Sequence, residues 1–284
     1  MSRRWSLSLA VLALIALACA NPDGGGGKPT HTEPAPSPAK GTPSSMVALG
    51  DSITAAYGSC LSPTACPRNS WATGDGTQVL SHYRRILAVN PAIRGHARNL
   101  ARPGSTVDNL PSQASAAVGQ RADYVTILIG GNDACRGGVA GMTSAAAFRK
   151  QVDRTLATLR TGMPRARVLL VGIPNIYRVW EVGHTNKFAV GVWKSGICPN
   201  LLSNPTSTAA ADVSRRKAFR DRITAYNSQL RSACAASGTR CRYDDSAFRF
   251  DFDLTMLSAI DFFHPNAAGQ KALARETYPD SFTW

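Results

Sequence analysis

The chain has 284 residues, 44% hydrophobic and 18% charged, with 32 Lys+Arg against 18 Asp+Glu and a formal net charge of +14. This balance excludes a highly charged disordered chain, and a single apolar stretch, at the N-terminus, excludes a polytopic membrane protein. The basic excess is 25 Arg and 7 Lys. No zinc-finger, homeodomain or RNA-recognition signature accompanies it, so a GC-rich coding sequence explains the arginines better than nucleic-acid binding does. Attraction to anionic surface polymers or lipid headgroups is a lesser reading.

Met1 to Arg4 is a short basic segment, and Leu7 to Ala18 is an apolar run of twelve residues. The run is too short to span a bilayer comfortably; this is the layout of a secretory signal peptide over 1–19. Ala18-Cys19-Ala20 satisfies the small-x-small cleavage rule. Ala16-Leu17-Ala18-Cys19 also approximates a bacterial lipobox, with its leucine one place late, in which Cys19 would be lipidated and attach the chain to a membrane. Arg3-Arg4 hints at a twin-arginine export route, although the residues after it fit poorly. Residues 20–43 run through Gly24–Gly27 into a Pro/Thr/Ser/Ala stretch that cannot bury a core and reads as a disordered tether. A tether directly after Cys19 suits a surface lipoprotein, and it suits equally a secreted enzyme that is trimmed. The remaining domain, 44–284, is large enough to bury roughly 70–75% of its unfolded surface.

There are seven cysteines, an odd number for an exported protein. Without Cys19, six remain, and six can pair completely in an oxidising compartment. The expected pairing is Cys60–Cys66 and Cys234–Cys241, which close short loops, leaving Cys135 for Cys198. A zinc site is the alternative, but no C-x-x-C occurs and the five histidines do not fall at ligand spacing.

Along the domain, Met46–Leu49, Asp123–Ile129 and Arg167–Val171 are apolar runs ending at glycines and read as buried strands. Arg98–Leu100 and Arg240–Tyr243 are weaker strand candidates. Helical patterns cover Asn109–Val118, Thr143–Thr161, Asp212–Ser237 and Asn266–Tyr278, with Phe148, Val152, Leu156 and Leu159 recurring every three or four residues. Strands alternating with helices argue for βαβ units and a parallel sheet covered on both faces. Ligands of such sheets lie beyond the carboxyl ends of the strands.

Three segments at strand ends or near the C-terminus carry chemistry. In Gly50-Asp51-Ser52-Ile53-Thr54, a serine just past a strand can present its hydroxyl to a cleft; Asp and Ser are also ordinary turn and cap residues. Thr54 stands where a nucleophile elbow would need its last glycine, which argues against an α/β-hydrolase. Gly130-Gly131-Asn132-Asp133 can aim an amide at developing negative charge, or simply make a turn. Asp261-Phe262-Phe263-His264-Pro265 puts a carboxylate within reach of an imidazole, as a base needs, or makes a surface ion pair.

Taken in order, Gly50-Asp51-Ser52, Ala101-Arg102-Pro103-Gly104-Ser105, Gly130-x-Asn132-Asp133 and Asp261-x-x-His264 resemble the blocks of the SGNH/GDSL hydrolase family, from about Ser44 to the C-terminus. The segments Ser81–Arg85 and Tyr177–Gly183 look like those of secreted actinobacterial members. The resemblance implies a three-layer α/β/α fold with a five-stranded parallel sheet. It implies Ser52 as nucleophile, His264 as general base and Asp261 orienting it, with an oxyanion hole from the Ser52 and Gly104 N–H groups and the Asn132 amide. It implies no metal and no organic cofactor. The activity implied is that of an esterase or lipase on a small-molecule, lipid or glycan ester, at the cell surface or outside the cell, by a monomer. The competing expectation is a non-catalytic surface lipoprotein that binds a glycan or lipid in the same cleft. Pocket walls are expected from Trp71, the Arg178–His184 segment and Trp193, each of which could equally be a packing anchor.

Overall fold

The computed structural model describes residues 38–284. The expected signal peptide, the lipidation candidate Cys19 and most of the tether lie outside the described residues. Five strands, β1 (Met46–Gly50), β2 (Ala97–Asn99), β3 (Tyr124–Leu128), β4 (Arg167–Val171) and β5 (Cys241–Asp244), form one sheet in the order β2-β1-β3-β4-β5. Every pairing is parallel. The fold is the expected α/β/α sandwich. Side chains alternate across the sheet as strand geometry requires: Val47, Leu49, Val125, Ile127, Val168 and Leu170 enter one core, and Met46, Ala48, Tyr124, Leu128, Leu169 and Val171 the other.

Among the described residues, ten α-helices surround the sheet: α1 (His82–Val89), α2 (Leu110–Val118), α3 (Gly131–Cys135), α4 (Ala145–Gly162), α5 (Tyr177–Gly183), α6 (Lys187–Trp193), α7 (Pro199–Leu202), α8 (Ala210–Ser237), α9 (Ser246–Arg249) and α10 (Ala267–Glu276). The first core is closed by α2, α4 and α8, through Leu110 and Ala114, Phe148 and Leu156, and Phe219, Ile223 and Leu230. The second is closed by α1 and α10 with Ile86, Leu273, Trp71 and Phe282. The starts of α1, α4 and α10 are capped by Ser81, Ser144 and Asn266, whose side-chain oxygens accept backbone N–H bonds, worth about 1 kcal/mol each. Among the described residues no helix is long and apolar enough to cross a membrane.

The four long helices fall within two residues of their expected bounds, because each repeats its apolar face over several turns. The short helices α3, α5, α6, α7 and α9 carry too few repeats to show a period. The edge strands β2 and β5 are only partly buried, so their sequences lack the continuous apolar run of the central strands. Contacts to the sheet layer begin just before Ser44: Asn90 Nδ2 donates to the Pro43 carbonyl at 2.9 Å, and Ser44 Oγ donates to Asp123 at 2.6 Å.

The structure pairs Cys60 with Cys66, Cys135 with Cys198 and Cys234 with Cys241. The second bridge spans 63 positions and joins the end of α3 to the start of α7. The third joins the end of α8 to β5, at the opposite end of the sheet from the strand carboxyl termini.

Candidate active site

The residues singled out from sequence lie beyond the carboxyl ends of adjacent strands. Asp51 and Ser52 follow β1, Gly104 follows β2 and Asn132 follows β3. Gly50 ends β1 at φ +147°, and a Cβ there would sit 2.2 Å from the Leu128 carbonyl oxygen. Only glycine allows the sharp exit that turns Ser52 away from the sheet. Ser52 then opens a compact turn closed by Tyr57 N–H on the Ser52 carbonyl and Ala55 N–H on that of Asp51.

The C-terminal segment meets this turn. His264 Nε2 lies 2.7 Å from Ser52 Oγ, and His264 Nδ1 lies 2.6 Å from Asp261 Oδ2. Asp261 Oδ1 accepts the backbone N–H groups of Phe263 and His264 at 2.9 and 3.0 Å. Burial pushes the Asp261 carboxyl upward, but hydrogen bonds and attraction from His264, with the Phe263 N–H, more than offset it and hold it below the usual carboxylate value. A carboxylate kept ionised against Nδ1–H fixes the tautomer that leaves Nε2 free to take a proton. The Tyr57 ring packs on the imidazole with centroids 4.8 Å apart.

On the other flank, the N–H groups of Ser52 and Gly104 make no hydrogen bond among the described residues. The Asn132 amide donates one hydrogen to the Ser105 carbonyl at 2.8 Å, which fixes the side chain and leaves its second hydrogen uncommitted. The arrangement therefore holds a hydroxyl paired with a base, and unengaged donors from the neighbouring strand ends.

Several polar residues to which the sequence analysis assigned no role hold the site. Gln113 of α2 accepts the Gly50 N–H at 2.8 Å and donates to the Gly50 carbonyl at 2.9 Å, fastening both backbone groups at the end of β1. Asp133 is fully buried; it accepts the Val107 N–H at 2.9 Å and the Thr143 hydroxyl at 2.8 Å. Burial raises its carboxyl to about 6, against those hydrogen bonds. Asp51, beside Ser52, is raised to about 7: burial dominates, the Ile53 N–H and His264 oppose it, and Asp133 adds repulsion. Gln270 of α10 accepts the Trp71 N–H at 2.9 Å and donates to the Ile53 carbonyl at 2.8 Å. Ser258 donates to the Gly58 carbonyl at 2.8 Å. These two side chains clasp the segment bearing Asp261 and His264 to the Ser52 turn. A buried glutamine on an otherwise apolar helix face was the available signal for Gln113; for Gln270 it was a glutamine inside a short Ala-rich helix.

The model of the GDSL-like lipase/acylhydrolase family matches residues 46–277. The chain belongs to this family. Its fold is similar to that of a GDSL-like lipase from Parabacteroides merdae, with a TM-score of 0.52 at 16% identity over 81% of this chain and 92% of that one. Structures of phospholipase A1 from Streptomyces albidoflavus (TM-score 0.49, 19% identity, 82% of this chain and 98% of that one) and of an extracellular lipase from Streptomyces rimosus (0.47, 18%, 82% and 99%) also match. No curated protein matches the chain. Membership in a family of lipases and acylhydrolases makes it a hydrolase of the esterase/lipase type, with ester substrates.

The expected pocket walls are corrected in part. Trp71 is fully buried, its Nε1–H donating to Thr54 Oγ1 at 3.3 Å, and Trp193 is buried against Gly183 with its Nε1–H on the Phe262 carbonyl. Both anchor the core, Trp71 in the cluster with Ile86 and Leu273 and Trp193 in the cluster with Val179 and Ala189. Of the Arg178–His184 segment, Val179 lines the cavity beside His264. Among the described residues, no cluster of three His, Cys, Asp or Glu side chains is arranged to hold a metal ion.

Proposed function

We propose that the chain is an exported serine hydrolase that cleaves carboxylic esters through an acyl-enzyme. The observation that carries this reading is the continuous line Ser52 Oγ – His264 Nε2 – Nδ1 – Asp261 Oδ2, at 2.7 and 2.6 Å. Ser52 attacks the ester carbonyl while His264 Nε2 takes the hydroxyl proton; the imidazolium that forms is stabilised by Asp261. The carbonyl oxygen, now an anion, is held by the Ser52 and Gly104 N–H groups and the second Asn132 amide hydrogen. His264 returns its proton to the leaving alcohol. Water then attacks the acyl-Ser52 ester, with His264 again as base, releasing the acid and restoring Ser52.

Export is supported by the basic and apolar N-terminal segment and by three cysteine pairs, which persist in oxidising compartments. Cys19 is the proposed lipid anchor, with 20–43 as its tether and 44–284 as the catalytic domain.

The test is hydrolysis of p-nitrophenyl esters by the purified chain and by Ser52→Ala. Ester turnover should fall by about 10⁴-fold or more in the variant. Equal rates in the two proteins would rule out the acyl-enzyme on Ser52. A folded, disulfide-intact protein that turns over no ester and binds a glycan or lipid would make it a binding protein instead.

A further inference from the structure

We propose that Tyr57 is a positioning residue of the reaction: its ring holds the His264 imidazolium that forms when Ser52 gives up its proton. This rests on the proposed esterase reading. The two rings lie with centroids 4.8 Å apart and planes tilted by 53°, inside the roughly 6 Å within which an aromatic ring attracts a cation. The His264 side chain is only 15% exposed and that of Asp261 9%, so the charge appears where little water reaches it. Attraction to a ring is stronger there than in open water. Of the groups that face the imidazole, Asp261 holds Nδ1 and Ser52 faces Nε2. The buried Asp51 carboxyl interacts with its charge from the Ser52 turn. Phe263 meets it edge-on, with centroids 5.1 Å apart and planes at 89°. A neutral imidazole gains only packing from Tyr57, whereas the imidazolium gains attraction to the π electrons in addition. The contact therefore favours the transition state over the resting enzyme.

Both rings are set by strained backbone. Ala56 and Phe262 have φ of +54° and +49°, the left-handed region that is costly for a residue with a Cβ. Ala56 directly precedes Tyr57, and Phe262 lies two residues before His264, so the strain brackets the contact from both sides. Such residues persist where the surrounding structure fixes them, and they gather at functional sites. On the first side, the Tyr57 N–H donates to the Ser52 carbonyl at 2.9 Å, the Gly58 N–H to the Thr64 carbonyl at 3.0 Å and the Cys66 N–H to the Ala55 carbonyl at 3.1 Å. The Cys60–Cys66 bridge closes that loop. On the second side, the Phe262 N–H donates to the Ser258 carbonyl at 2.7 Å. The sides meet at Gly58, where a Cβ would stand 3.0 Å from Ser258 Oγ and 3.8 Å from Asp261 Oδ2. The Tyr57 ring is thus held against the base before substrate arrives.

The test changes the electrons of the ring and keeps its shape. Tyr57→Phe, and the same variant carrying one, two or three ring fluorines, are assayed in the full chain on p-nitrophenyl acetate. Tyr57→Phe should keep most of kcat, since it keeps the ring. Each added fluorine draws electrons from the face and should lower kcat by a similar factor, to a total of about 3- to 30-fold, with KM little changed. Tyr57→Leu should fall as far. The acid limb of its kcat/KM profile should also move to lower pH, by about 0.5–1.5 pH units, because the imidazole is harder to protonate without the ring. Misfolding lowers the rate without moving that limb. A kcat unchanged along the fluorine series, with hydrolysis still dependent on Ser52, would overturn the role of Tyr57 and leave the esterase reading standing. NMR titration of His264 in Ser52→Ala, with and without Tyr57→Leu, reads the same contact without hydrolysis, and a midpoint that Tyr57→Leu leaves unmoved would overturn it. A midpoint lowered by Tyr57→Leu, in a chain with no Ser52-dependent turnover, would keep the contact and overturn the esterase reading.

Discussion

The two flanks of Ser52 are built by different physics. On the β2–β1–β3 flank, Gln113, Asp133, Asn132 and Ser105 make a lattice of hydrogen bonds, and two carboxyls, Asp51 and Asp133, are buried among them. On the β4–β5 flank, the cavity is walled by apolar side chains held from behind by Arg178 and Asn266. Hydrogen bonds are directional, so the first flank suits atoms that must sit still while charge develops. Apolar contacts have no preferred direction, so the second encloses space without fixing any one orientation.

Three experiments would break or sharpen this contrast. The largest effect is expected from the Cys135–Cys198 bridge, which ties the α3 helix carrying Asn132 to the insertion after β4. Closing a loop of 63 positions, its removal by paired Cys→Ser substitution should cost about 4 kcal/mol of stability. The Cys234–Cys241 bridge, with a separation of 7, should cost about 2 kcal/mol. Urea unfolding gives both numbers, and only loss of the first bridge should also lower kcat, since only that one reaches the polar flank.

Next comes Asn132→Ala. It should lower kcat by about 10²–10³-fold with little change in KM, because in the proposed mechanism the donor acts mainly on the charge of the transition state. A change confined to KM would instead make Asn132 a substrate-binding group.

The last is a pH effect of the buried Asp51. Folded, its carboxyl keeps its proton to about pH 7; unfolded, it releases it near its ordinary value of 3.8. Between these values the folded state binds the extra proton, so stability falls as pH rises through that window. Asp51→Asn removes the titration, and its Oδ1 can still accept the Ile53 N–H. Its stability relative to the wild type should therefore improve from pH 4 to pH 8, by a few kcal/mol at most. A difference that stays constant with pH would remove Asp51 as the source of the polar flank's pH sensitivity.

The sequence by itself determined the parallel α/β architecture, because the central strands are continuous apolar runs and the long helices repeat their buried face over several turns. It also determined the order of the short blocks, and the structure brings Ser52, Asp261 and His264 of those blocks together, with Asn132 on the neighbouring strand end. These signals are local: each is complete within a few neighbouring residues. Tertiary structure alone decided the clasp of Gln270 on Ile53 and of Ser258 on Gly58, which act across separations of 217 and 200 residues. It also decided that Phe250, Phe252 and Met256, which alternate with polar residues as a strand would but form none, converge with Ile176 and Val179 on one cavity, while Trp71 and Trp193 turn into the core. Such placements depend on which elements pack against each other, and that is a property of the assembled sheet and its layers, not of any window of the chain.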